Sequence, residues 1–160
     1  MKIKILTTPL FFFCIILLFI QPLHAANSNP FILNDNTPPS SLWPNMVFIE
    51  DVDHTLTFED IKNADNWQQS PDMGVTKGFT KSVLWLRFSV KNLLDEAFYW
   101  NLEFSYPLLD EIEFYKPNLD GSFSQTLWGD HLPFSAREIH YRNIVIPIKA
   151  EAKKVDTFYV

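Results

Sequence analysis

Trp85 and Arg87 are the residue types in this chain best suited to hold a small polar molecule. They lie two apart in Phe79-Thr-Lys-Ser-Val-Leu-Trp-Leu-Arg-Phe-Ser-Val90. Residues two apart in a strand share a face. Leu84, Leu86, Phe88 and Val90 then form an apolar face, and Trp85, Arg87 and Ser89 the opposite one. An indole can stack on a ring while a guanidinium beside it binds a hydroxyl or a carboxylate. The same pattern also suits a plain outer face, with Arg87 stacked on Trp85 or paired with a nearby Glu.

Further candidates lie downstream. His140 and Arg142 share parity with Ile144, Ile146 and Ile148, so one row is polar at one end and apolar at the other. Arg142 can cap a core there or face a bound anion. Asp130 and Arg137 share a loop with Pro133. They can clasp that loop by pairing, or serve a site, since loops at one end of a rigid scaffold often carry function. Tyr106 precedes Pro107, which bends the chain. The expected ligand-binding set is therefore Trp85, Arg87, Arg142, Tyr106, Arg137, Asp130 and His140. Asp110 is placed to pair with Arg87 or Arg142, and Glu111 and Glu113 read as solvated.

Patterns that would indicate catalysis are absent from the sequence. No Gly-x-Ser-x-Gly occurs, and no spacing of acidic residues singles out an acid and a base. Four glycines in the whole chain leave no phosphate-cradling loop. Asp51-Val-Asp53-His54 is the one metal-like cluster, and it lacks the further ligands of a zinc or calcium site. The expectation is a non-enzyme without a cofactor.

The elements that must position these residues are mostly strands. Residues 46–50 read as a short strand. Thr57-Phe-Glu-Asp60 reads as a helix start, with Thr57 as N-cap and Asp60 three residues on. That helix should end near residues 63–66. Strands follow at 83–91, 97–104, 109–116, 122–128, 140–148 and 157–160, the second being expected as the hairpin partner of the first. This spacing predicts an all-β antiparallel sandwich with one short helix. Residues 27–44, rich in Asn, Pro and Ser, read as a linker or extended arm without regular structure.

The chain of 160 residues opens with Lys2 and Lys4, an apolar run over 10–20, and Ala25-Ala26. A basic start, a short apolar middle and a small-residue end make a secretory signal peptide, expected to be cleaved after Ala25 or Ala26. The run is shorter than the roughly 20 residues of a membrane crossing. The expected organisation is signal peptide 1–25, linker 26–45 and sandwich 46–160. Cleavage removes Cys14, the single cysteine, so the mature domain must rest on its hydrophobic core. Loss of Lys2 and Lys4 takes the formal charge from −6 to −8. An acidic exported domain is a poor partner for nucleic acid or an anionic membrane. The last three residues, Phe158-Tyr-Val160, fall inside a strand pattern, and the chain reads as a fragment of a longer protein.

From about Phe48 to Val160 the sequence resembles the type 2 extracellular domain of the 7TM-DISM receptors, seven-transmembrane receptors with diverse intracellular signalling modules. The matching elements are Thr57-Phe-Glu-Asp60, Gly78-Phe-Thr80, Leu84-Trp-Leu-Arg-Phe88, Tyr106-Pro-Leu-Leu-Asp110, Phe114-Tyr115, Gly129-Asp130, Pro133-Phe-Ser135, Arg137 and His140-Tyr-Arg142. The resemblance implies a jelly-roll sandwich in the periplasm, like a carbohydrate-binding module, tethered to the inner membrane in the full-length protein. It implies a downstream seven-helix membrane domain and a cytoplasmic output module such as a diguanylate cyclase or a histidine kinase. A small-molecule ligand, a sugar or an organic acid, and a homodimer of the full-length receptor are the expected partners. Two other classes stay open at this point: a periplasmic protein-interaction domain, and a carbohydrate-binding accessory module of an exported enzyme.

Overall fold

The computed structural model describes residues 28–75, 77, 78 and 80–160. The signal peptide expected at 1–25 and Phe79 lie outside the described residues. The fold is all-β, with nine strands and one short α-helix among those residues. In chain order they are β1 (Phe31–Leu33), β2 (Met46–Asp51), α1 (Phe58–Lys62), β3 (Gln68–Gln69), β4 (Val83–Asn92), β5 (Phe98–Phe104), β6 (Ile112–Pro117), β7 (Phe123–Trp128), β8 (Ile144–Ala150) and β9 (Val155–Tyr159).

Alternation along β2, β4, β6 and β9 builds the centre. Met46, Phe48, Leu86, Phe88, Val90, Ile112, Phe114 and Phe158 point to one side of a seven-stranded sheet, ordered β3-β2-β4-β9-β6-β7 with β1 as the seventh strand on β4. Leu102, Ile144, Ile146, Ile148 and Ala150 of the two-stranded sheet β5–β8 close the same core from opposite. Phe158 stacks between Phe88 and Phe114, with ring centroids at 5.4 and 5.7 Å. The pairing is antiparallel throughout apart from β1 on β4.

The opposite parity, Val47, Ile49, Trp85, Tyr115 and Tyr159, forms a second apolar cluster under α1. Thr57 caps α1 in a reciprocal capping box with Asp60, and the helix ends at Asn63, as the sequence indicates. The helix brings Phe58 flat against Tyr115, with centroids 4.0 Å apart and planes within 2°. Ile61 and Trp67 are buried there at 0% and 3% exposure. The large sheet is therefore covered on both faces, which explains the unbroken apolar run of β2.

Four expectations about elements are corrected. Residues 97–104 do not form a hairpin with 83–91; β5 instead pairs over its whole length with β8, from Phe98 opposite Ala150 to Phe104 opposite Ile144. The buried Asn92 explains the turn away: its amide nitrogen donates to the carbonyls of Glu96, Ala150 and Glu151, and its oxygen accepts from the Leu94 amide. That side chain ties a corner between sheets rather than a hairpin. The stretch read as an irregular arm contains β1, laid parallel on β4 with Leu33 opposite Asn92 and 2% exposed. β4 outruns β2, and its free ladder edge takes these residues. The strand expected from 140 starts only at Ile144, so His140 and Arg142 lie in the loop before it. The strand expected from 109 starts only at Ile112.

Candidate functional site

Trp85 and Arg87 share a face as their spacing requires, but the face is not open. Trp85 is 7% exposed, its ring is 6.0 Å from that of Tyr115, and it packs in the cluster with Val47, Ile49, Ile61 and Trp67. A ligand ring has no free indole face to stack on, because α1 and Trp67 cover this side of the sheet. The Arg87 guanidinium lies 4.4 Å from the ring centroid of Trp67. Burial draws its pKa below the usual arginine range, and the Tyr159 hydroxyl acts against that. The Tyr115 phenol is held above its usual range, first by burial and then by its hydrogen bond to the Glu113 carboxylate.

The metal-like run has a structural use. Burial works to raise the Asp51 carboxyl, but hydrogen bonds from the amides of Leu56, Thr55 and His54 outweigh it and hold the group below its ordinary range. The Leu56 and Thr55 amides reach it at 3.0 and 3.2 Å. His54, in the left-handed region at φ 56°, turns its ring onto the Lys81 carbonyl.

Arg137 and Asp130 come together in the loop between β7 and β8. The Arg137 side chain is 10% exposed, with Nη2 3.8 Å from Asp130. Its Nη1 donates to the carbonyls of Tyr141 and Arg142, both at 3.0 Å, and the guanidinium lies 5.2 Å from the Phe134 ring centroid. The arginine thus holds the loop that carries His140, Tyr141 and Arg142. The Asp130 amide donates to Leu109 and the His131 amide to Asp110, at 2.8 and 3.2 Å, which staples this loop to the one between β5 and β6. Gly129, at φ 142°, permits the approach, since a Cβ there would run into the Asp110 carbonyl.

The stapled loops form one end of a groove of about 2460 Å³. Tyr106, 57% exposed, and His140 line it, and the buried Trp85 borders it. Arg87, Arg142, Arg137 and Asp130 do not. Arg137 borders a separate hollow of about 400 Å³ beside Trp128 and Leu132. The expected set is therefore divided among a sealed cluster, a loop clasp and a groove.

The groove also holds residues that the sequence reading missed: Trp100, Phe104 and Tyr141. Trp100 and Phe104 share parity on β5, in the stretch expected as the hairpin partner of 83–91. The indole nitrogens of Trp85 and Trp100 are buried without a hydrogen-bond partner among the described residues, and both rings border the groove. A buried N–H without an acceptor is costly. Acidic side chains, Glu103, Asp110, Glu111 and Glu113, line the same region.

Among the described residues no three His, Cys, Asp or Glu side chains gather as metal ligands, and no helix is long and apolar enough to cross a membrane. No curated protein matches the chain. Residues 44–160, well over half of the sequence, match the family described as 7TMR-DISM extracellular 2. The chain belongs to that family, and so is the periplasmic sensor domain of a membrane receptor.

Proposed function

We propose that the domain senses a small neutral polar molecule, a sugar in preference to an organic acid, at the groove end lined by Tyr106, His140 and Tyr141. The observation that carries this reading is that these three exposed rings, on two stapled loops, line one groove that two indole N–H groups without a partner among the described residues also border. Aromatic faces suit the apolar side of a pyranose, and Glu103 and Asp110 offer acceptors to its hydroxyls. Four carboxylates along this part of the groove disfavour an anionic ligand. Signalling then needs the ligand to bind one arrangement of the receptor better than another; equal affinity for both shifts nothing.

Thermal unfolding against a panel of neutral sugars and of dicarboxylates tests the reading. The expected outcome is stabilisation by sugars, lost in Tyr106→Ala while the ligand-free melting temperature is kept. Stabilisation that survives Tyr106→Ala, or that only the acids produce, contradicts it.

A second reading has its own support. Small-molecule pockets span about 300–1,000 Å³, and this groove is more than twice the upper value. A groove of that size suits a polypeptide segment, so protein docking is the competing function. Co-purification of a periplasmic protein, lost in Tyr106→Ala and without any sugar response, favours it.

A further inference from the structure

The large sheet ends on β7, and that edge carries none of the usual guards against pairing. Edge strands are normally blunted by shortness, charged side chains, proline or a bulge. At the opposite end of the sheet β3 is only two residues long. β7 has six, Phe123-Ser-Gln-Thr-Leu-Trp128, with no charge and no proline. It runs along β6 without a bulge, from Pro117 opposite Phe123 to Ile112 opposite Trp128. The chain as a whole has a formal charge of −6, so a neutral edge of this length stands out. The nearest acidic residues in sequence, Asp120 and Asp130, lie outside the strand.

The ladder decides which backbone groups the edge offers. The Asn118 amide donates to the Ser122 carbonyl at 2.8 Å, so these two residues form a hydrogen-bonded pair. Such pairs alternate along an antiparallel ladder, and Ser124, Thr126 and Trp128 therefore turn their N–H and C=O toward β6. Phe123, Gln125 and Leu127 turn theirs outward. None of these three makes a backbone bond to another segment among the described residues. Side chains alternate as well. Phe123 packs on the cluster under α1, and Leu127, of the same parity, is 46% exposed. Trp128 packs on the opposite core, and Ser124 and Thr126 share its parity.

We propose that β7 pairs with β7 of a second copy of this chain, antiparallel about a two-fold axis at Gln125. The order of residues in the strand selects that occupant. Apolar, hydroxyl, amide, hydroxyl, apolar over 123–127 reads alike in both directions. The two-fold sets Phe123 opposite Leu127, Ser124 opposite Thr126, and Gln125 opposite itself. Phe123, Gln125 and Leu127 then exchange both backbone bonds with their opposites. The hydroxyls are complementary as they stand. Ser124 Oγ donates to Asn118 Oδ1 at 2.7 Å and keeps lone pairs free to accept. Thr126 Oγ1 accepts from Trp128 Nε1 at 3.0 Å and keeps its proton to donate. Each Thr126 can thus donate to Ser124 of the other copy, twice by symmetry. Charge favours the same contact, because two acidic copies repel least along a neutral strand. β7 leads into the loop that Arg137 holds and that carries His140 and Tyr141, so one connection joins the shared sheet to the groove end.

Disulfide trapping in the full-length receptor in its membrane tests the pairing without any ligand. Gln125→Cys sets two thiols across the axis with Cα atoms about 5.5 Å apart, within reach of a disulfide. The expected result is oxidation of most of the receptor to a covalent dimer. The background is set by the unaltered receptor and by Glu59→Cys, exposed on α1. Charged pairs then probe the register. Adding Ser124→Glu with Thr126→Glu places like charges face to face and should abolish the cross-link. Adding Ser124→Glu with Thr126→Lys places opposite charges there and should restore it. Residues 124–126 are exposed, so melting temperatures should hardly move. No cross-link above background at Gln125→Cys overturns the proposal. So does a cross-link that the two glutamates leave unchanged, or a loss that the glutamate–lysine pair does not reverse. Tyr106→Ala should leave trapping unchanged, so failure of the sugar reading and failure of this one are read separately.

Discussion

The two faces of the seven-stranded sheet carry similar side chains and have different fates. Toward α1, the cluster of Val47, Ile49, Trp85, Tyr115 and Tyr159 is sealed by Phe58, Ile61 and Trp67. Toward β5–β8, the core around Phe88 and Phe158 is covered by only two strands, and the groove opens beside them, although it also borders Trp85, Tyr115 and Phe58 of the other face. Aromatic content does not distinguish the faces. Coverage does: an aromatic stays accessible where no element of the chain covers it. Trp85, the strongest candidate on residue type, is packed under α1 and only 7% exposed where it borders the groove, and the weaker candidates Tyr106 and His140 lie exposed where the second sheet runs out.

Truncations in the two cores should give the largest effects. Phe158→Ala removes a fully buried ring stacked on Phe88 and Phe114, and should cost about 3–5 kcal/mol in chemical denaturation. Trp85→Ala should destabilise in the same range, as befits a core residue. A Trp85→Ala variant of unchanged stability would break the comparison, since its face would then be no core.

Acid should weaken the covered face next. The Asp51 carboxyl sits below the ordinary aspartate value of 3.8 in the folded state. A depressed folded-state pKa contributes stability that is present above the unfolded value and lost as pH falls through the folded one. Unfolding midpoints should therefore drop as pH goes below 3.8, and Asp51→Asn should be weaker at neutral pH with a shallower acid slope. An unchanged slope would separate Asp51 from the turn that leads into α1.

The cap of α1 should matter less. Thr57→Ala removes the side chain that accepts from the Asp60 amide and should cost about 1 kcal/mol. Near-ultraviolet circular dichroism should report looser packing of Phe58 and Tyr115, sharpening the link between helix and seal. Tyr106→Ala, at an exposed position, should change stability by no more than about 0.5 kcal/mol. A large loss there would make Tyr106 a structural residue of the open face.

Local signals were legible in the sequence. The parity of Leu86, Phe88 and Val90, the capping box of Thr57 and Asp60, and the β6–β7 hairpin over Asp120-Gly121 each depend on neighbours within a few residues. Long-range choices were not. Nothing within β5 indicates that its partner is β8, more than forty residues on; Asn92 decides it by bonding to Ala150 and Glu151. Parity placed Trp85 and Arg87 together but could not show that α1 would fold over them. His140 and Arg142 read as strand because alternation continues through them. Arg137 takes the Tyr141 and Arg142 carbonyls for itself, and the ladder begins at Ile144.

The most direct measurement is a backbone amide chemical-shift titration of the domain with the neutral sugar that stabilises it most. The account requires the largest shifts at residues 105–110 and 139–141, with a change at the Trp100 indole N–H. Shifts centred on Arg87 and Trp67, with the groove residues silent, would contradict it and return the site to the face under α1.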